Sequence, residues 1–144
     1  MFVVDTNVLV YAAERSFPEH IRCRERVEEW RRSETPWYLT WSIVYELARI
    51  TTHPRIFARP WAAPQAWGFI GALLAAPSLR MLLATERHAA VVDAVTQQFG
   101  GLSGNLFHDL HIAALMREHG IRRIVTRDSD FHRFPFLDPV DPLD

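Results

Sequence analysis

Short apolar runs alternate with longer amphipathic stretches along this chain, and each kind predicts a different element. Runs rich in β-branched, aromatic or other apolar residues and bounded by turn or polar residues predict buried strands. Four are found, at residues 2–4, 37–41, 79–84 and 121–126. Apolar residues at helical spacing predict helices in the stretches between them. These helices are expected at residues 8–14, 19–32, 43–52, 64–76, 87–99 and 106–119.

Cap and turn residues indicate where some of these helices begin and end. Ser42 is expected to cap the helix that begins at residue 43, because a serine hydroxyl can accept a hydrogen bond from a free helical N–H. Gly120 is expected to end the last helix. Residues 127–131 predict a short loop, and a proline-rich tail follows. Strands that alternate with helices predict a three-layer α/β/α fold with a central parallel sheet. Without repeats or a linker, residues 1–144 are expected to form a single domain.

Composition restricts the class of protein. Hydrophobic residues make up 49% of the chain and charged residues 23%, a balance typical of a folded globular domain rather than a disordered one. The single cysteine, Cys23, excludes an intrachain disulfide and a cysteine-based zinc site. A net charge of −1 argues against a basic nucleic-acid coat. All 16 basic residues are arginine, which suits bidentate phosphate contacts.

The sequence predicts neither a membrane span nor a secretory leader. The longest stretch without charge covers residues 60–79, but Pro60, Pro64 and Pro77 interrupt it. The helix that remains is shorter than the ~20 apolar residues that a bilayer requires. The chain opens Met-Phe-Val-Val-Asp, without a basic leader region. We therefore expect a cytoplasmic protein that has no membrane association.

Acidic residues recur at one edge of the predicted sheet. Asp5 follows the first strand, and Asp128 and Asp130 follow the fourth, while Glu46 and Asp109 lie near the starts of predicted helices. Parallel sheets bind ligands outside the carboxyl ends of their strands, so these acids are expected to meet there. Taken singly, each has an ordinary structural explanation as a helix cap, a turn residue or a solvated side chain. The other acids, Glu118 among them, are assigned to polar helix faces.

A group of carboxylates needs a cation, because each negative charge raises the pKa of its neighbours. Mg²⁺ or Mn²⁺ suits an all-oxygen site. Two such ions can activate water and stabilise a leaving oxygen in phosphodiester cleavage. Thr6, Asn7 and Thr126 are well placed to hydrogen-bond the carboxylates and orient them.

Four segments together resemble the PIN-domain ribonucleases, and more narrowly the VapC toxins of prokaryotic type II toxin–antitoxin systems. They are Phe-Val-Val-Asp5-Thr6-Asn7-Val-Leu, Ile43-Val-Tyr-Glu46-Leu, Leu106-Phe-His-Asp109-Leu-His-Ile-Ala-Ala and Thr126-Arg-Asp128-Ser-Asp130-Phe131. Each motif is short, but their order and spacing are specific, and the likeness covers almost the whole chain. The resemblance implies a PIN-like fold and an endoribonuclease that depends on Mg²⁺ or Mn²⁺.

The resemblance also implies roles for individual residues. Asp5 and Asp109 would be the central metal ligands, with Glu46 and Asp128 completing the catalytic set. Asp130 is a further candidate ligand, because the matching motif leaves open whether Asp128 or Asp130 points inward. Such toxins are typically homodimers that a VapB antitoxin holds inactive, and their substrates include tRNA and a ribosomal RNA loop.

Two other functions remain as alternatives at this point. One is a non-catalytic PIN-like module that binds RNA or protein. The other is a haloacid-dehalogenase-like phosphatase, whose motif needs a second aspartate where this chain has Asn7. His108 and His111 have the spacing of zinc ligands on a helix, but no further ligand is expected nearby.

Arginine and aromatic side chains suggest where partners bind. Four arginines lie near the acidic edge, where they would contact RNA phosphates or neutralise nearby acids; they are Arg15, Arg49, Arg127 and Arg133. The apolar helix at 64–76 is expected to contribute Trp67, Phe69 and Leu73 to the core, together with Trp61, which lies just before it. Part of its surface is a candidate for dimer or antitoxin contact, because a long apolar patch on a small domain usually marks an interface.

Overall fold

The computed structural model describes residues 1–144 and contains five strands. The strands are β1 (Phe2–Val4), β2 (Trp37–Leu39), β3 (Leu79–Met81), β4 (Arg123–Val125) and β5 (Asp138–Val140). Six α-helices connect them: α1 (Thr6–Ala13), α2 (His20–Arg32), α3 (Trp41–Thr51), α4 (Ala63–Leu74), α5 (His88–Gln98) and α6 (Leu106–Glu118). A 3₁₀ helix at Ser129–Arg133 replaces part of the loop predicted at 127–131.

The strands form one parallel sheet in the order β3-β2-β1-β4-β5. Val3 of β1 pairs with Tyr38 of β2 on one side and with Ile124 of β4 on the other. From β1 the chain builds outward to β2 and β3, then returns to add β4 and β5 on the opposite side. This reversal makes the gap beyond the ends of β1 and β4 a topological switch point, where open α/β sheets bind ligands.

The helices form two groups on the sheet. α1 packs against α2 and α3, and α3 packs against α4. α5 packs against α6, which also contacts the 3₁₀ helix. Because crossovers between parallel strands are almost always right-handed, connections that run in opposite directions along the sheet lie on opposite faces. The predicted three-layer α/β/α fold is therefore confirmed, with the apolar strands β1 and β4 at its centre, where Val3, Val4 and Ile124 are completely buried.

The start of α3 differs from the prediction. The N-cap is Thr40, whose Oγ1 accepts a hydrogen bond from the N–H of Ile43 at 3.2 Å. Ser42, the predicted cap, lies in the first turn, and its hydroxyl is 2.8 Å from that of Thr40. Both residue types cap helices well, so the local sequence did not distinguish them. Trp41, predicted to end a strand, belongs to the helix.

The fifth strand was absent from the prediction, which placed a proline-rich tail there. β5 pairs only with β4, with Pro139 opposite Ile124. Proline lacks an N–H and is tolerated on an edge strand, where one side of the backbone needs no partner. The tail therefore completes the sheet at an edge.

Helix α4 is less buried than predicted. Leu73 is buried and Phe69 partly so, but Trp67 is 46% exposed. Its ring lies 6.0 Å from that of Tyr45, which in turn lies 6.3 Å from that of Trp41.

None of the six helices combines the length and the hydropathy that crossing a bilayer demands.

Candidate functional site

Asp5 lies at the end of β1 and is the N-cap of α1. Its Oδ1 accepts a hydrogen bond from the backbone N–H of Thr6 at 2.7 Å. Its Oδ2 accepts hydrogen bonds from Asn7 Nδ2 and Thr126 Oγ1, both at 2.7 Å. Thr6 contributes its backbone and not its hydroxyl, whereas Asn7 and Thr126 use their side chains. These bonds fix the orientation of a carboxylate that is only 6% exposed.

The same polar groups connect the ends of the two central strands. Thr126 Oγ1 accepts a hydrogen bond from the N–H of Asp128 at 2.9 Å. Asn7 Oδ1 accepts one from the N–H of Arg127 at 3.2 Å, and Asn7 Nδ2 also reaches Thr126 Oγ1 at 3.2 Å. The loop after β4 is therefore held against the start of α1.

Three carboxylates converge next to this network. One oxygen from each of Asp109, Asp128 and Asp130 lies within 4.8 Å of the others. Asp109 comes from the first turn of α6. Asp128 caps the 3₁₀ helix by accepting a hydrogen bond from the N–H of Asp130 at 2.9 Å. Both Asp128 and Asp130 therefore place a carboxylate oxygen near Asp109, and both stay candidates for the inward acid.

Burial and mutual repulsion change the acidity of this group. Burial, followed by the negative charges of Asp128, Asp5 and Asp130, raises the pKa of Asp109 to about 7. Burial also raises the pKa of Asp5, although the hydrogen bonds from Thr126, Thr6 and Asn7 act in the opposite direction. Without a cation, Asp109 therefore titrates near neutral pH.

Glu46 lies apart from the three converging aspartates. Arg49, one turn further along α3, donates two hydrogen bonds to it, from Nη2 to Oε1 at 2.7 Å and from Nε to Oε2 at 3.0 Å. The hydrogen bonds and charge of Arg49 lower the pKa of Glu46 against the effect of its partial burial. Glu46 is therefore a charged side chain that already has a cationic partner.

All five acids line one cavity of about 740 Å³. Asp5, Glu46, Asp109, Asp128 and Asp130 are the acidic part of its lining, which we call the acidic end. The other lining residues are Thr6, Asn7, Val10, Tyr11, Phe17, Ser42, Ile43, Arg49, Ile50, Ile56, Asn105, His108 and Ile112. The acids predicted to meet at the sheet edge do share one site, although Asp5 and Glu46 lie outside the tight group of three.

A second polar network, which the sequence did not predict, leads away from the cavity. Ser42 lies 3.2 Å from Nδ1 of His111, whose ring meets that of His88 edge to face at 5.6 Å. His88 Nδ1 is 2.6 Å from Oε2 of Glu118, and Thr85 donates two hydrogen bonds to Oε1 of the same carboxylate. Glu118 is buried, so its assignment to a polar helix face was wrong.

The two histidines of α6 face different surroundings. His108 lines the cavity, whereas His111 faces Ser42 and His88. A third histidine is therefore near His111, contrary to expectation, because the contact between α5 and α6 cannot be read from the spacing along one helix. These histidines do not converge as a metal-binding group; the three aspartates are the group that does.

Three of the four arginines near the site neutralise acids. Arg49 pairs with Glu46, and Arg133 Nε lies 3.5 Å from Asp130. Arg127 pairs with two carboxylates, Glu19 at 2.6 Å and Asp141 at 3.3 Å. Arg15 forms no such pair and is exposed.

The donor set fits a hard divalent cation. The converging groups are carboxylates only, and oxygen ligands are those that Mg²⁺ and Mn²⁺ prefer. Burial and the negative charges of Asp128, Asp5 and Asp130 raise the pKa of Asp109, and a bound cation would favour its charged form. The site therefore has both the ligand chemistry and the electrostatic need for a metal ion.

Comparison with known proteins agrees with this geometry. Residues 2–137 match the family model described as the PIN domain. The chain is 32% identical over 143 residues to Ribonuclease VapC48 of Mycobacterium tuberculosis, covering 96% of this chain and 95% of that protein. It is 33% identical over 144 residues to Ribonuclease VapC43 of the same organism, covering 100% and 97%.

Solved structures show the same fold. This chain superimposes with a TM-score of 0.68 on a chain in the crystal structure of VapBC2 from Rickettsia felis. In that structure VapBC2 is bound to a DNA fragment from its promoter. The sequence identity is 17%, and the match covers 97% of both chains. Together, the family model and the two full-length relatives establish that this chain belongs to the PIN-domain family, among the VapC ribonucleases.

Proposed function

We propose that this chain is a metal-dependent endoribonuclease and the toxin of a VapBC-type toxin–antitoxin pair. The observation that carries the proposal is the convergence of Asp109, Asp128 and Asp130 beside the buried Asp5, at the switch point of the sheet. Such a site suits the cleavage of a phosphodiester in RNA. The metal ions that these carboxylates would hold place concentrated positive charge next to a polyanion.

Asp5, Asp109, Asp128 and Asp130 are the residues that would hold Mg²⁺ or Mn²⁺. When bound, the metal supplies Lewis acidity to the phosphate and a more acidic water. Thr126 and Asn7 keep the carboxylate of Asp5 in one orientation. Glu46 completes the catalytic set from α3, and Arg49 keeps it ionised.

The RNA substrate is proposed to be a tRNA or a ribosomal RNA, as the family resemblance implies, which would place the protein in the cytoplasm. A VapB-like antitoxin is the proposed inhibitor, and a homodimer is the proposed form of the toxin. The exposed aromatic side chains Trp41, Tyr45 and Trp67 support a protein contact on α3 and α4, because aromatic residues are enriched in interfaces.

The proposal is tested by expressing the wild type and three variants, Asp5→Asn, Glu46→Gln and Asp109→Asn. The wild type should arrest growth and cleave RNA in the presence of Mg²⁺ or Mn²⁺, and each variant should lose both activities. Asp93→Asn is the matched control, because Asp93 is an exposed acid on α5 that bonds only within its own helix. Wild-type toxicity of Asp5→Asn and Asp109→Asn would overturn the proposal, and a binding module would then be favoured.

A further inference from the structure

Part of the lining of this cavity is apolar rather than acidic. Val10, Tyr11, Phe17, Ile50 and Ile56 line this part, which we call the apolar arm. The rings of Tyr11 and Phe17 meet edge to face, with centroids 5.2 Å apart and planes at 77°. Both rings are partly exposed. A solvent-accessible aromatic surface therefore lies within the same cavity as the acids.

Ile56 is held at this position by an ordered turn. It is 43% exposed, so its side chain is accessible to a ligand in the cavity. The N–H groups of Ile56 and Phe57 both donate to the carbonyl of His53 at 3.1 Å. Phe57 is 1% exposed and packs against Trp61, with ring centroids 5.9 Å apart. The buried neighbour thus anchors the turn that presents Ile56 to the cavity.

We propose that the apolar arm binds one nucleobase of the RNA, from a nucleotide next to the phosphate that is cleaved. This inference rests on the proposed function, which places a phosphate at the acidic end. The two ends share one cavity, and its volume of about 740 Å³ is in the range of sites that enclose a small ligand. A base has flat π faces and little charge, so it matches aromatic and aliphatic walls.

Two arginines lie next to residues of the arm in the sequence and suit the phosphates of a bound RNA. Arg15 precedes Phe17 by two residues, and Arg55 directly precedes Ile56. Both arginines are exposed, and neither forms a salt bridge in the structure. Free guanidinium groups suit the phosphates on either side of a bound base.

The test uses small probes, so it does not depend on knowing the RNA target. We would titrate the protein in Mg²⁺ with each of the four nucleoside 5′-monophosphates and with ribose 5-phosphate, and follow the isoleucine methyl signals by NMR. Ribose 5-phosphate carries the same phosphate and sugar but no base. At least one nucleotide should bind 5-fold or more tightly than ribose 5-phosphate, since stacking of one base is worth about 5- to 150-fold. The methyl signals of Ile50 and Ile56 should shift only with the nucleotide.

Variants of Ile56 then locate the effect. Ile56→Ser should remove most of the preference for the nucleotide while leaving the affinity for ribose 5-phosphate unchanged. Ile56→Leu keeps apolar surface and should retain the preference. Ile21→Ser is the matched control, because Ile21 is 68% exposed on α2 and does not line the cavity.

Equal affinity for nucleotides and ribose 5-phosphate would overturn the inference while leaving the proposed function intact. An unchanged preference in Ile56→Ser would also overturn it, and weaker antitoxin binding by that variant would then assign the arm to a protein partner. If no probe binds and no RNA is cleaved, the proposed function itself fails.

Discussion

Thr126 Oγ1 donates a hydrogen bond of 2.7 Å to Asp5 Oδ2, joining side chains that are 121 residues apart in the sequence. The same oxygen accepts a hydrogen bond from the N–H of Asp128. One hydroxyl therefore aligns the carboxylate that follows β1 with the acidic loop that follows β4. Its position at the switch point makes Thr126 a positioning residue for the site.

Replacing Thr126 with valine should weaken both the fold and the site. Thr126→Val keeps the shape but removes the donor to Asp5 and the acceptor for Asp128, both of them buried or partly buried groups. A buried polar group left without its partner costs about 1–3 kcal/mol, and we expect a loss of that size in urea unfolding. Thr96→Val, on the exposed face of α5, should change stability by less than about 0.5 kcal/mol. Equal stability of the two variants would contradict the role of Thr126.

Metal should stabilise the wild type more than it stabilises Asp109→Asn. Free Mn²⁺ at a hundredfold excess over its dissociation constant adds about 2.7 kcal/mol to the free energy of unfolding. Asparagine removes the charge at the centre of the cluster, so Asp109→Asn should lose most of this gain. Without metal, it should melt no lower than the wild type, because it relieves repulsion. Thermal melts with chelator and with Mn²⁺ measure both effects, and an unchanged metal response would show that Asp109 is not a ligand.

The metal-free protein should become less stable as the pH rises towards neutrality, relative to Asp109→Asn. The ordinary pKa of an aspartate is 3.8, whereas the pKa of Asp109 in the folded protein is about 7. At pH values between these two, the folded protein therefore binds more protons than the unfolded chain. Stability must then fall as the pH rises through this window and level off above it. The raised pKa of Asp5 acts in the same direction. Because solvent partly screens Asp109, we expect a modest effect. Across this window, the melting temperature of the wild type should fall by about 2–4 °C relative to that of Asp109→Asn. A parallel pH dependence in both proteins would contradict the prediction.

Glu118 should behave as a structural acid, in contrast to Asp109. Burial alone would raise its pKa, but hydrogen bonds from His88 and Thr85 outweigh burial and lower the pKa. Glu118→Ala would leave those donors without their acceptor, and we expect a loss of about 3 kcal/mol with an unchanged response to Mn²⁺. Glu86→Ala removes an exposed acid next to Thr85 and should change stability little. Loss of the metal response in Glu118→Ala would place Glu118 in the functional site.

The antitoxin should insert an arginine or a lysine among Asp5, Glu46, Asp109 and Asp128. A cavity whose acids repel one another gains stability from any cation, and a side chain can supply it without catalysis. Replacing that residue of the antitoxin with glutamine should weaken binding and release ribonuclease activity. A structure of the complex in which the acidic end stays open to solvent would contradict this prediction.

The sequence was sufficient to predict the features that depend on local pattern. Asp5 and Thr126 each follow a short apolar run that pairs in the sheet, so the site edge could be located before the structure was known. The sequence did not reveal that Arg49 pairs with Glu46 or that His88 approaches His111, because these contacts depend on side-chain rotamers and on how α5 packs against α6. The edge strand β5 was missed because proline disfavours strands in general and is tolerated only where one side is unpaired.

The parallel pairing of β1 with β4 also determines when this protein can first become active. Asp5 leaves the ribosome 121 residues before Thr126, and Asp128 and Asp130 follow Thr126. Domains fold as units when enough of the chain has emerged, at a synthesis rate of about 5–20 residues per second. A nascent chain that ends before β4 has neither the hydroxyl that orients Asp5 nor two of the three converging acids. The growing polypeptide therefore lacks this arrangement of side chains until β4 and the loop after it have been synthesised.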